Sequence, residues 1–177
     1  DPKDNTGLAH YLEHMMFKGN KHFGTLDYYK EKPILDSIEL FFNNYSKIKN
    51  PNERKKFYKK IDSISNIASS YAIAGEYDKL ISQIGGKKLN AGTHNDYTVY
   101  TVDIPSNEIG RFLEIEGLRF QQIVNRLFHT ELEAVYEEKN RALDNDSRKS
   151  YEELMSKLFP NHPYGTQSVL GTVNHLK

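Results

Sequence analysis

The residues His10-Tyr11-Leu12-Glu13-His14 constrain this chain more than any other stretch. Two histidines four positions apart stand one helical turn above each other on one face. Glu13, three residues after His10, stays on the same side. The neighbours Leu8, Ala9, Leu12, Met15, Met16 and Phe17 are apolar, which predicts a helix buried on most sides. Two imidazoles and a carboxylate inside such a helix need partners. A zinc ion can take both imidazoles at this spacing, and a carboxylate beside it can take a proton from water. The pattern H-x-x-E-H is the inverted order of the H-E-x-x-H zinc motif. The alternative is a helix with two ordinary surface histidines.

The chain has 177 residues, enough for one domain with a core. Lys plus Arg equals Asp plus Glu at 24 each, so there is no overall electrostatic footprint for nucleic acid. The basic run from Glu53 to Lys60 reads as the wet face of a helix whose buried side carries Phe57, Ile61 and Ile64. With no cysteine, disulfides and thiolate metal ligands are excluded. No apolar run is long enough for a membrane span and no stretch reads as a signal peptide, which is compatible with any compartment.

Residues 7–18 read as the first helix, with caps on offer from Asp4, Asn5 and Thr6 and a stop at Gly19-Asn20. From about Asp27 to Ala74 the pattern predicts an αα-hairpin. Its first arm carries Ile34, Leu35, Ile38, Phe41, Phe42, Tyr45 and Ile48; its second carries Phe57, Ile61, Ile64, Ile67 or Ala68, and Tyr71. Between them Asn50 can cap, Pro51 suits the first helical position, and Glu53 has capping-box spacing. Residues 76–84 form a short helix stopped by Gly85-Gly86. Residues 88–93 read as a strand, His94-Asn95-Asp96 as a turn and 97–104 as a strand with Thr98, Tyr100, Val102 and Ile104 on one face. Ser106 should cap a helix bearing Ile109, Phe112, Leu113, Phe120 and Ile123. Thr130-Glu131-Leu132-Glu133 reads as a capping box opening a helix to about Asp144. Helix over 151–159 and the loop Pro160-Asn161-His162-Pro163-Tyr164-Gly165 follow. His22 and His94 fall in turns, His129 just before a cap, His162 in a structural loop and His175 near the end, all without an assigned role.

Catalytic zinc usually has three protein ligands and a water. The helix after Thr130 offers Glu131, Glu133, Glu137 and Glu138. Glu133, Glu137 and Arg141 form a row typical of a solvated face. Glu138 falls in another row, between Ala134 and Ala142, where small residues permit close approach. Glu131 lies two turns earlier on nearly the same face. Helical geometry therefore favours Glu138 as the third ligand and Glu131 as its supporting carboxylate, with four solvated glutamates as the alternative.

Gly7 to Gly19 resembles the active-site helix of the M16 peptidases, the family of pitrilysin, insulin-degrading enzyme and the mitochondrial processing peptidase. Glu131-Leu132-Glu133-Ala134-Val135-Tyr136-Glu137-Glu138 resembles its second motif, two glutamates seven apart. The resemblance makes Glu138 the zinc ligand. Leu89-Asn90-Ala91-Gly92-Thr93, with Asp96, Thr98 and Tyr100, resembles the family's strand beside the active site. There an extended peptide substrate pairs with the strand edge, which implies substrate binding at Asn90, Ala91, Gly92 and Thr93. His162-Pro163-Tyr164-Gly165 with Gly171-Thr172 resembles a downstream structural signature.

The resemblance implies an α+β domain, helices packed on a mixed or antiparallel sheet, with one zinc ion held by His10, His14 and Glu138 and with Glu13 as the proton-transferring base. It implies a zinc-dependent endopeptidase acting on peptides or unfolded segments, together with a second homologous half that closes a chamber around the substrate. Two departures stand out. The interval from His14 to Glu138 exceeds the family's usual gap, and the helical hairpin at about 27–74 accounts for it as an insertion. Only nine residues precede His10, where the family has strands, so the chain reads as a partial catalytic domain over 1–177, part of a larger protease. The competing readings are a non-catalytic scaffold or peptide-binding relative, or an inert fragment; a zinc hydrolase of another class; and a helical interaction protein with satisfied core histidines.

Overall fold

The computed structural model describes residues 1–3 and 5–172. Asp4, one of the expected caps, and His175 lie outside the described residues. The architecture is α+β, mostly helical, with one small sheet. The elements run α1 (Leu8–Met15), α2 (Tyr28–Tyr45), α3 (Pro51–Ser69), α4 (Glu76–Gln83), β1 (Lys87–Thr93), β2 (Thr98–Asp103), α5 (Ile109–Gln121), α6 (Phe128–Leu143), α7 (Asp146–Leu158) and α8 (Pro163–Thr166). The chain divides into two compact units. One comprises Asp1–His14, Lys88–Asp103 and the chain from Thr130 on; the other comprises Met15–Lys87 and Ile104–His129.

In the first unit, β1 and β2 form a two-stranded antiparallel sheet closed by a tight turn, in which the His94 amide donates to the Tyr97 carbonyl at 2.8 Å. Burial alternates along β2, with Thr98, Tyr100 and Val102 on the less exposed face. The Asp1 carboxylate holds the start of α1, accepting from the Gly7 amide at 2.8 Å and the Ala9 amide at 2.9 Å. An acidic group there also complements the positive end of the helix dipole. Gly7 and Gly171 touch backbone to backbone, both at positive φ. A Cβ on Gly7 would come within 2.8 Å of the Gly171 Cα, so only glycine lets the two segments meet. The α1 helix is buried on most sides, as expected: His10, Tyr11, Glu13 and Met15 are buried, and only the stripe of Leu8 and Leu12, four apart, is about half exposed.

The α6 helix begins at Phe128, two residues before the expected cap, so Thr130 is already helical and its capping box does not form. Leu127, at φ 55, makes the turn into it. Glu133, Glu137 and Arg141 face solvent as expected, and Val135 is fully buried. The α7 helix is capped by the Asn145 side chain, which accepts from the Arg148 amide, and α8 by His162 Nδ1, which accepts from the Tyr164 amide.

In the second unit, α2 and α3 lie against each other through Phe41 on Phe57 and Tyr45 on Tyr58. Asn50 caps α3 by accepting from the Asn52 and Glu53 amides, with Pro51 at its first position. Of the two candidates at the far end of α3, Ala68 is buried and Ile67 exposed. The polar centre of this unit is Arg126, 1 % exposed. Its Nε and one Nη grip the Glu31 carboxylate at 2.6 and 2.7 Å, and its remaining bonds go to the carbonyls of Lys18 (2.8 Å) and Asn20 (3.0 Å). Asn20, fully buried, donates to the Leu118 carbonyl and accepts from the His22 and Phe23 amides. His129 is not a bystander before a cap. It is buried in the first turn of α6, 2.7 Å from Asp62 and 3.4 Å from the Tyr58 hydroxyl.

Two expectations around α5 differ. Ser106 does not cap it; the residue begins a short 3-10 turn that leads into the helix, and the Glu108 amide donates to the Pro105 carbonyl. Ile109, Leu113 and Phe120 are exposed, while Phe112, Ile115 and Arg119 turn inward. Periodicity marks a helix's apolar row, but only packing decides whether that row is covered. The inward Arg119 lies over the Tyr77 ring and pairs with Glu116, which also accepts from the Tyr77 hydroxyl at 2.7 Å. Burial first, and Glu116 second, pushes the Tyr77 phenol up.

Candidate metal and catalytic site

All groups of the site belong to the first unit. One turn of helix separates His10 from His14 on α1, and their rings meet edge to face with centroids 4.8 Å apart. Glu138 comes from α6. Its Oε2 lies 3.4 Å from His10 Nε2 and 3.6 Å from His14 Nε2. One ligand atom from each of the three residues lies within 4.8 Å of the others. These separations are too long for good N–H···O hydrogen bonds. The two separations from Glu138 Oε2 lie close to the edge of a tetrahedron whose bonds are those of zinc to nitrogen and oxygen, about 3.3 Å. Two imidazole nitrogens and a carboxylate are a donor set that suits zinc, and a metal would fit between them.

The protonation of the pair is set by its surroundings. Burial, and secondarily the charge of His14, pushes the His10 pKa down, so His10 is held neutral. Arg148 adds to this effect. His10 Nδ1 is buried without a hydrogen-bond partner among the described residues. The opposite holds at His14. Its Nδ1 lies 3.2 Å from Glu131 Oε2, and that hydrogen bond raises its pKa against the effect of burial. A carboxylate on Nδ1 keeps the proton on that nitrogen, which leaves the Nε2 lone pair facing His10 and Glu138. Glu131, expected beside Glu138, makes this contact with His14.

Glu13 is buried and accepts from the Thr93 hydroxyl at 2.6 Å. Thr93 in turn shares a hydrogen bond with the Thr98 hydroxyl at 3.1 Å, so both strands hold the group that orients Glu13. An open cavity of about 960 Å³ is lined by His10 and Glu13 on one side and by Ala91, Gly92 and Thr93 on another. Asn90, the remaining candidate for substrate binding, is exposed and is not among its walls. The cavity also reaches residues that carried no functional expectation. Tyr164 closes part of it, donating to Asp96 at 2.5 Å, and this contact raises the Tyr164 pKa. Lys139 and Arg148 form a further wall. Thr93 as the partner of Glu13 was hidden for a plain reason. No local pattern pairs a strand hydroxyl with a helix carboxylate 80 positions away.

A family model described as Insulinase (Peptidase family M16) matches residues 1–34. The match contains His10, Glu13 and His14 and stops before the strands and α6. No curated protein matches the chain. Over its first 34 residues, the segment that carries the H-x-x-E-H motif, the chain is similar to a family of peptidases.

Proposed function

We propose that this chain carries the catalytic site of a zinc-dependent endopeptidase that hydrolyses peptide bonds in short or unfolded peptides. His10, His14 and Glu138 would hold the metal. Bound there, zinc supplies Lewis acidity, polarising the peptide carbonyl and making water more acidic. Glu13 takes a proton from the attacking water and passes it to the leaving nitrogen. The Thr93 hydroxyl fixes the orientation of its carboxylate. Glu131 holds His14 with Nε2 free for the metal. Residues 90–93 offer an extended substrate a strand edge to pair with, and a second homologous half, in the same chain or a partner subunit, completes the chamber.

The observation that carries this reading is the convergence of His10 Nε2, His14 Nε2 and Glu138 Oε2 from two distant helices, with Glu13 beside them on the same cavity. The test is a Glu13→Gln substitution in the full-length zinc-loaded protein. Zinc content should remain that of the parent while peptide hydrolysis falls at least about 100-fold, the usual worth of a positioned general base. Full activity in that variant rules out Glu13 as the base.

A further inference from the structure

The cavity beside His10 and Glu13 has a second, cationic wall. Lys139 on α6 and Arg148 on α7 line it together with Glu152, the cavity's other carboxylates being Glu13 and Asp96. Lys139 is 8 % exposed, and its ammonium donates to Ser168 Oγ at 3.3 Å and lies 4.0 Å from Glu152 Oε1. That same oxygen accepts from Ser168 Oγ at 3.1 Å and from Arg148 Nε at 3.3 Å. One carboxylate oxygen therefore serves a buried lysine, a hydroxyl and an arginine. Arg148 spends only Nε on it; with the described residues, neither Nη group makes a hydrogen bond. Arg148 also sits in the first turn of α7, where the helix dipole disfavours a cation and adds to the local positive potential. A planar guanidinium with both Nη groups uncommitted is the natural fork for a carboxylate. A desolvated lysine next to it strengthens the same preference.

We propose that Arg148 and Lys139 form a binding subsite for a carboxylate of the peptide substrate, borne by an Asp or Glu side chain or by the peptide's C-terminus. The subsite gives the cavity one end for chemistry and another for recognition of a negative group. It rests on the peptidase reading, so binding and turnover must be measured separately.

Fluorescent peptides that differ only in carrying Glu, Gln or Lys at one position, scanned along the sequence, are prepared with free and amidated C-termini. Their binding is followed by anisotropy with the full-length zinc-loaded Glu13→Gln protein, and their hydrolysis with Glu13 present. A peptide with Glu at the right position, or a free C-terminus, should bind about tenfold more tightly than its neutral counterpart, as expected for a partly desolvated charge pair. Which of the two shows the effect identifies the source of the carboxylate. Arg148→Gln should remove the preference, and Arg148→Glu should turn it toward Lys. Equal binding of all peptides, a preference unchanged by Arg148→Glu, or no binding at all overturns the subsite. Charge-selective binding that Arg148→Glu reverses, without hydrolysis of any peptide, sustains the subsite and overturns the peptidase reading.

Discussion

Replacing Glu131 with Leu separates the orientation of a metal ligand from the ligand itself. Glu131 makes a 3.2 Å contact with His14 Nδ1 and does not belong to the three-residue cluster that could hold the metal. Its side chain is 13 % exposed, so a leucine of similar bulk can occupy the space. Carboxylates that orient a ligating histidine are typically worth about 10–100-fold in metal affinity. The contact is longer than the 2.7–2.9 Å of a strong charge-assisted bond, which puts the expected loss nearer to about tenfold, or roughly 1.4 kcal/mol. The pH dependence is the sharper test. Glu131 also raises the His14 pKa. Below that raised pKa, zinc must displace a proton from His14 in the parent protein, whereas the leucine variant holds the proton less tightly. Part of the loss is thereby cancelled at low pH, and the full loss emerges above it. Zinc affinity measured against a chromophoric chelator should show a smaller deficit at about pH 6 than at about pH 8. The metal-free protein supplies a second sign. A histidine whose folded pKa is raised adds stability that is fully present below its unfolded pKa of about 6.5 and is lost as pH rises through the folded value. The leucine variant should lack that decline. Equal zinc affinity of parent and variant at pH 8, or a deficit that is larger at pH 6, refutes the role given to Glu131.

Two further substitutions probe the frame around the site. Arg126→Met strands the fully buried Glu31 carboxylate and leaves the Lys18 and Asn20 carbonyls without their donor; urea denaturation should show a loss of about 3–5 kcal/mol, much of it recovered in the Arg126→Met, Glu31→Leu double variant. A loss below about 1 kcal/mol would contradict the reading of that pair as buried. Thr93→Val removes the hydroxyl that Glu13 accepts from at 2.6 Å; kcat should fall about tenfold with zinc content unchanged, and Thr93→Ser should restore it, since a positioning hydrogen bond acts through geometry. Equal kcat in the Val and Ser variants would show that the hydroxyl does not position Glu13.

The parts of the site on one helix were legible because helical spacing is a local property. His10 and His14 four apart meet ring to ring; helical rows favoured Glu138 over Glu133 and Glu137 but left four solvated glutamates as the alternative. The second strand was legible from alternation over 97–104, the first as the stretch 88–93 between Gly85-Gly86 and the turn at His94-Asn95-Asp96, and the start of α3 from Asn50-Pro51. What the sequence hid was decided by contacts between distant segments. The Asp1 cap on α1 depends on the chain turning back on itself. The Glu31–Arg126 pair joins residues 95 positions apart, each with an ordinary-looking neighbourhood. Thr130 offered a good capping pattern, yet Leu127 takes a left-handed turn and starts the helix earlier. The exposed row on α5 has the same origin, for periodicity says nothing about which surface another segment will cover. Arg148 and Lys139 carry no expectation from the sequence; the cavity brings them together around Glu152.

Zinc per chain in the full-length protein and in its Glu138→Gln variant, measured by elemental analysis after exhaustive dialysis, tests the central claim most directly. Glu138 Oε2 lies 3.4 Å from His10 Nε2 and 3.6 Å from His14 Nε2, and an amide oxygen is a far poorer zinc ligand than a carboxylate. About one zinc per chain in the parent, and little or none in a variant that remains folded, is the predicted result. Equal zinc in both proteins, or none in a folded parent, would contradict a site built from His10, His14 and Glu138.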